Sequence, residues 1–183
     1  MTTDEMNLSP ELHEEIEGYI AKLGSPYGPE RARARFELIK CGRIVTPLLI
    51  EALKDGNHHV RWEAAKAFGE LKDPTAADAL VHTLMDERPE IRWLAAEALI
   101  ALEEDAIEPL LRALIYHFDS IWLRHGAHHV LHALERNFNL DEKTYEVLEA
   151  MRSIEPEVTV PWAAEAALEA RSEGEISNMK SPD

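Results

Sequence analysis

Cysteine is almost missing from this chain of 183 residues. The single thiol, Cys41, has no partner for an internal disulfide, and it falls where the helical pattern asks for a core residue, so it reads as a buried, inert side chain. Basic residues are scarce as well: 19 Lys and Arg stand against 35 Asp and Glu, for a formal charge of −16. A field of that sign repels phosphate backbones and anionic lipid surfaces, which argues against nucleic acid and membrane as partners. Long apolar runs are absent, no stretch approaching the roughly 18 residues that a bilayer-spanning helix needs. Residues 1–8 are acidic and polar where a signal peptide would begin basic and turn apolar, so a cytoplasmic protein is expected. A glycine-rich phosphate loop, a Cys-x-x-Cys pair and a serine or cysteine nucleophile motif are all missing. The carboxylates are scattered along solvated helix faces, so no catalytic residue is assigned and a non-enzymatic role is expected.

What the chain does have is repetition. Val60 to Leu71, Ile91 to Leu102 and Leu123 to Leu134 say nearly the same thing, at offsets of 91 − 60 = 31 and 123 − 91 = 32. Arg61 aligns with Arg92 and Arg124, Ala64 with Ala95 and Ala127, and Leu71 with Leu102 and Leu134. A looser copy, Arg31, Ala34, Leu38 and Cys41, precedes them at an offset of 30 and is more basic through Arg33 and Arg35. Self-similarity at this period predicts stacked helical hairpins. The small residues at 64, 65, 95, 96 and 127 would let neighbouring backbones approach, while Phe68, Leu99 and Leu131 fill the space between layers.

The expected fold class is therefore all-α, an α-solenoid of about four hairpins with terminal capping helices. Residues 1–8 are read as disordered and 9–171 as the solenoid, with a capping helix over 9–23 opened by Ser9-Pro10. The repeats are placed at about 30–55, 57–86, 88–117 and 119–152. Thr46-Pro47 and Asp73-Pro74 read as N-cap and first-turn pairs, Pro156 and Pro161 as brackets of an extended linker. A C-terminal helix over 161–171 and a disordered tail over 172–183 complete the chain.

Each recurrent arginine follows an acidic residue at the end of the preceding helix, which predicts a structural ladder of Asp55 with Arg61, Asp86 with Arg92 and Asp119 with Arg124. The residues directly after those arginines are Trp62, Trp93 and His125. On adjacent helices about 8 to 10 Å apart they would form a row on one surface. Tryptophan is the residue most enriched at interface hot spots, so this row is a candidate partner-binding strip. His125, His128, His129 and His132 lie on one helix, where His125, His129 and His132 match the outward Trp93, Glu97 and Ile100, and His128 matches the inward Ala96. Imidazoles at such spacing suit a transition metal, although one helix offers two good ligands at most.

Val60-Arg61 followed by Ala64-Ala65, Phe68-Gly69 and Leu71, then Asp73-Pro74 and Ala79-Leu80, resembles the HEAT repeat of the phycobilisome-lyase type, over roughly Glu30 to Leu148. The resemblance implies HEAT-like hairpins; similar repeats serve bilin lyases, iron-containing deoxyhypusine hydroxylases and scaffolds without enzymatic function. The hydroxylases carry His-Glu directly after the recurrent arginine. Here those positions hold Trp62-Glu63, Trp93-Leu94 and His125-Gly126, so that activity is rejected. No motif for bilin attachment is found. The expected function is a scaffold or adaptor without a cofactor, presenting Trp62, Trp93, His125, His129 and His132 to a partner protein or peptide, a basic one being favoured by charge. The alternative is a metal-binding or cofactor-handling protein, bilin-lyase-like or chaperone-like, with a transition metal at His125, His129 and His132.

Overall fold

The computed structural model describes residues 9–138 and 140–179, with side chains described as far as 174. The disorder expected for residues 1–8 and for the last residues of the tail, 180–183, lies outside the described residues. The chain divides into two compact units, one ending at Leu102 and the other beginning at Glu103. The division falls inside the third of the expected repeats.

In the first unit α1 (Pro10–Lys22) packs on α2 (Gly28–Lys40), which is followed by α3 (Thr46–Ala52), α4 (His58–Leu71), α5 (Ala77–Thr83) and α6 (Pro89–Ala101). The first helices of successive hairpins lie side by side, α2 against α4 and α4 against α6. Sequence explains why: Ala64, Ala65, Ala95 and Ala96 are buried and allow close approach, while Phe68, Leu38, Leu80 and Leu99 fill the layer between. At about 25 cal/mol per Å² of apolar surface, no single hairpin could bury this much alone. The second unit holds α7 (Ile107–Tyr116), α8 (Ile121–Asn137), α9 (Glu142–Ala150) and α10 (Pro156–Met179). Among the described residues every regular element is helical, as the period demanded.

Two predicted caps have the expected form: Ser9 accepts from Leu12 N at 3.3 Å and Asp73 from Thr75 N at 3.1 Å. Thr46 does not. It lies inside the helix, and its hydroxyl donates instead to Asp73 Oδ2 at 2.6 Å, tying the first hairpin to the second through a buried bond. The turns that follow α2, α4 and α6 each use one left-handed residue, Gly42, Lys72 and Glu103, with φ of 69°, 48° and 57°. Only the first is glycine.

The region after Pro156 departs from expectation. No extended linker separates Pro156 from Pro161; both belong to α10, which runs past 171 through most of the supposed tail. Val160, Ala164 and Ala167 are fully buried at helical spacing, and α10 packs on both α7 and α9. That burial offsets the backbone bond lost at Pro161. Arg171 reaches from α10 to Asp141 at 2.9 Å and to Glu104 at 3.0 Å, binding the helix to two neighbouring segments of its unit.

Candidate partner-binding surfaces

The recurrent arginine positions everything that follows it. Arg31 Nη1 donates to Ser25 O at 2.8 Å, Arg61 Nη1 to Asp55 O at 2.9 Å, Arg92 Nη1 to Asp86 O at 2.7 Å, and Arg124 Nη1 to Phe118 O. Each bond spans six residues backwards, from the first turn of one hairpin to a main-chain carbonyl in the turn before it. The charged donor satisfies a carbonyl left without a helical partner.

This geometry corrects the expected ladder. Asp55 meets Arg61 through its main-chain oxygen, and the carboxylate facing Arg61 is Asp86, one hairpin further on, with Nε to Oδ2 at 2.7 Å. Glu87 adds a second carboxylate at 3.0 Å. Arg92 likewise takes the main chain of Asp86, and Arg124 pairs with Glu157 of α10 at 2.7 Å rather than with Asp119. The reason is reach: one edge of the guanidinium is consumed by the carbonyl, leaving the other to face the next hairpin. The hydrogen bond to Asp86 raises the pKa of the Arg61 guanidinium above its ordinary value.

Trp62 lies half-buried on α4, with the Lys66 ammonium 4.8 Å from its ring centre. Trp93, at the equivalent position of α6, is 56% exposed. The packing of α4 on α6 thus brings two indole-bearing helices together, with unequal exposure. His125, His129 and His132 lie on α8 in the second unit, His125 exposed and the other two half-buried. His128 is half-buried and stacks on His132, with ring centres 6.0 Å apart. Burial pushes its pKa below 6.5, and Arg152 and the neighbouring imidazoles push the same way.

Among the described residues no group of three His, Cys, Asp or Glu side chains is arranged to hold a metal ion. The imidazoles at 125, 129 and 132 therefore do not form a three-ligand site, because seven residues of one helix spread them over two turns. Cys41 also departs from expectation. It is half-buried, donates weakly to Glu37 O at 3.4 Å, and has its pKa raised by burial and then by Glu15 and Glu37, which keeps it as the unreactive thiol.

Glu63, beside Trp62, turns inward. Its carboxylate is buried between Arg31, 3.4 Å away, and Arg35 of α2, which explains the basic character of that helix. Sequence reasoning missed this triad and also missed an exposed apolar corner in the second unit, made by Tyr116, Phe118, Ile121 and Trp122. A signal for the corner was available. The equivalent seven-residue stretches, 53–59 and 84–90, carry one and two large apolar residues, Leu53 in the first and Leu84 with Met85 in the second, whereas 116–122 carries four.

Residues 16–100 match a family model described as HEAT repeats. The matched span ends in α6 and takes in most of the first unit. No curated protein matches the chain. Among the described residues no helix is long and apolar enough to cross a membrane.

Proposed function

We propose that this HEAT-repeat protein is a non-enzymatic scaffold that binds a partner protein or peptide through Trp62, Trp93, His125, His129 and His132. One observation carries the reading: an indole that is 56% exposed at Trp93, on a helix packed against the one that bears Trp62. Arg61 and Arg92, directly before these tryptophans, are tied to the main chain, so the indoles stand on a fixed backbone. An aromatic side chain with few rotors on a rigid support loses little entropy on binding. HEAT repeats generally mediate protein binding, which agrees with this use. The charge of −16 favours a basic partner and speeds its approach.

Within the HEAT class, we place the repeats with the phycobilisome-lyase type on Val60-Arg61, Ala64-Ala65, Phe68-Gly69 and Leu71. Those are stacking residues, and they supply no chemistry. The test is capture of partners from the native host with the full chain and with the Trp62→Ala, Trp93→Ala double variant. A protein retained by the wild type and lost by the variant, at unchanged helical content, supports the scaffold; undiminished capture overturns this surface.

A further inference from the structure

We infer that the corner between α7 and α8, together with the start of α10, is a second docking site, and that its occupant is a basic peptide segment bearing apolar side chains. The site uses no residue of the tryptophan pair on α4 and α6.

Tyr116 is 76% and Trp122 48% exposed, and Phe118 and Ile121 between them are also exposed. The turn that shows them is not loose. His117 N donates to Ala113 O at 2.8 Å, Ser120 N to His117 O at 3.0 Å, and Leu123 N to Ser120 Oγ at 3.2 Å. Arg124 then clamps Phe118 O, and the same guanidinium holds Glu157 in the first turn of α10. Ile154, 100% exposed, and Val158, also exposed, flank Glu157 in sequence. Large apolar side chains on a hydrogen-bonded backbone in solvent mark an interaction surface, because water gains from covering them and little order remains to be lost.

Charge selects the occupant. Asp119, Glu155 and Glu157 stand among these residues, and the cation that joins them, Arg124, is already taken by a carbonyl and a carboxylate, with its side chain only 11% exposed. Over residues 103–183, 17 Asp and Glu face 7 Lys and Arg. A second copy would set carboxylates against carboxylates, and an anionic membrane would be repelled in the same way. A segment with leucine-like side chains flanked by lysine or arginine satisfies both the apolar centre and the acidic rim.

The experiment uses the full chain and a fluorescein-labelled amphipathic peptide of leucine and lysine, read by anisotropy. The wild type should bind it, and the Tyr116→Ser, Trp122→Ser variant should bind at least about tenfold more weakly. Ile154→Ser, at a fully exposed position that cannot disturb folding, should weaken binding in the same direction. The Trp62→Ala, Trp93→Ala variant should bind as the wild type does, and a leucine and glutamate peptide should bind at least about tenfold more weakly than the lysine one. Absence of wild-type binding, equal affinity in all variants, or loss confined to the Trp62 and Trp93 variant would overturn the site. So would sedimentation showing a wild-type dimer that Trp122→Ser dissolves, since the occupant would then be a second copy.

Discussion

Arg61 and Asp86 are 25 residues apart, yet the guanidinium Nε meets the carboxylate at 2.7 Å with both side chains nearly out of solvent. The same arginine holds Asp55 O behind it and Glu87 beside it. One side chain therefore joins the turn before its own helix to the turn before the next. Breaking a buried pair from one side leaves a charge uncompensated. Arg61→Met should cost about 3–5 kcal/mol in urea denaturation, and Arg61→Lys should recover only part of it, because an ammonium cannot face the carboxylate and the carbonyl with a fixed fork. Equal stability of Arg61→Met and wild type would show that the bridge contributes nothing.

Thr46 and Asp73 make a second inter-hairpin link whose strength depends on pH. Burial alone would raise the Asp73 pKa, but the Thr46 hydroxyl and the Thr75 amide and hydroxyl outweigh it and hold the carboxyl below its ordinary 3.8. A folded pKa below the unfolded one means stability that is present above 3.8 and lost as pH falls through the folded value. Thr46→Val should cost about 2 kcal/mol near neutrality. The gap between variant and wild type should close as pH is lowered below 3.8. A gap that stays constant into acid would detach it from the carboxylate.

His128 should make the second unit sensitive to mild acid. It stacks on His132, and its charged form is disfavoured first by burial, then by Arg152 beyond α9, itself paired with Glu149 at 2.7 Å, and by His132, His125 and His129 on α8. With its folded pKa depressed, the unfolded chain binds the extra proton first, so stability is full above 6.5 and falls as pH drops from there through the folded value. The slope for one proton is at most about 1.4 kcal/mol per pH unit. Urea midpoints at mildly alkaline and mildly acidic pH should converge in His128→Gln; a variant with the wild-type slope would assign the effect elsewhere.

Lys72 sits in the left-handed region with an exposed side chain, a conformation that costs an L-residue roughly 1–2 kcal/mol. Its amide closes α4 on Phe68 O at 3.0 Å, and glycine would keep that bond. Lys72→Gly should stabilise by about 0.5–1 kcal/mol after the extra freedom of glycine in the unfolded chain is counted. The reverse change, Gly42→Ala, should destabilise although a Cβ there meets nothing within 4 Å. Thermal melts of the two variants moving in the same direction would contradict this.

The hairpins were legible in the sequence because their period and apolar spacing are local properties. Ala64, Ala95 and Phe68 sit where that spacing puts them. Partner choice was not legible. Six residues separate Arg61 from Asp55, but spacing does not say whether a guanidinium takes the carboxylate or the carbonyl, and only the neighbouring hairpin brings Asp86 within reach. Pro161 misled for a related reason, since its local tendency to break a helix is overridden by Val160, Ala164 and Ala167 packing on α7 and α9. Of the candidate surface, the exposure of Trp93 followed from its place after the arginine, while the apolar corner at Tyr116 to Trp122 lay in a turn that periodicity does not cover.

The backward reach of the arginines sets where the chain can vary in length. From each of the first three arginines to its corner residue the count is constant, 42 − 31, 72 − 61 and 103 − 92 all being 11. From the corner to the next clamped carbonyl it grows, 55 − 42 = 13, 86 − 72 = 14 and 118 − 103 = 15. Across these three arginines the drift in the period is therefore absorbed on the return limb, between the corner and the next clamped carbonyl. Evolution or an engineer can add a residue there and leave these three outgoing limbs, with whatever they display, untouched.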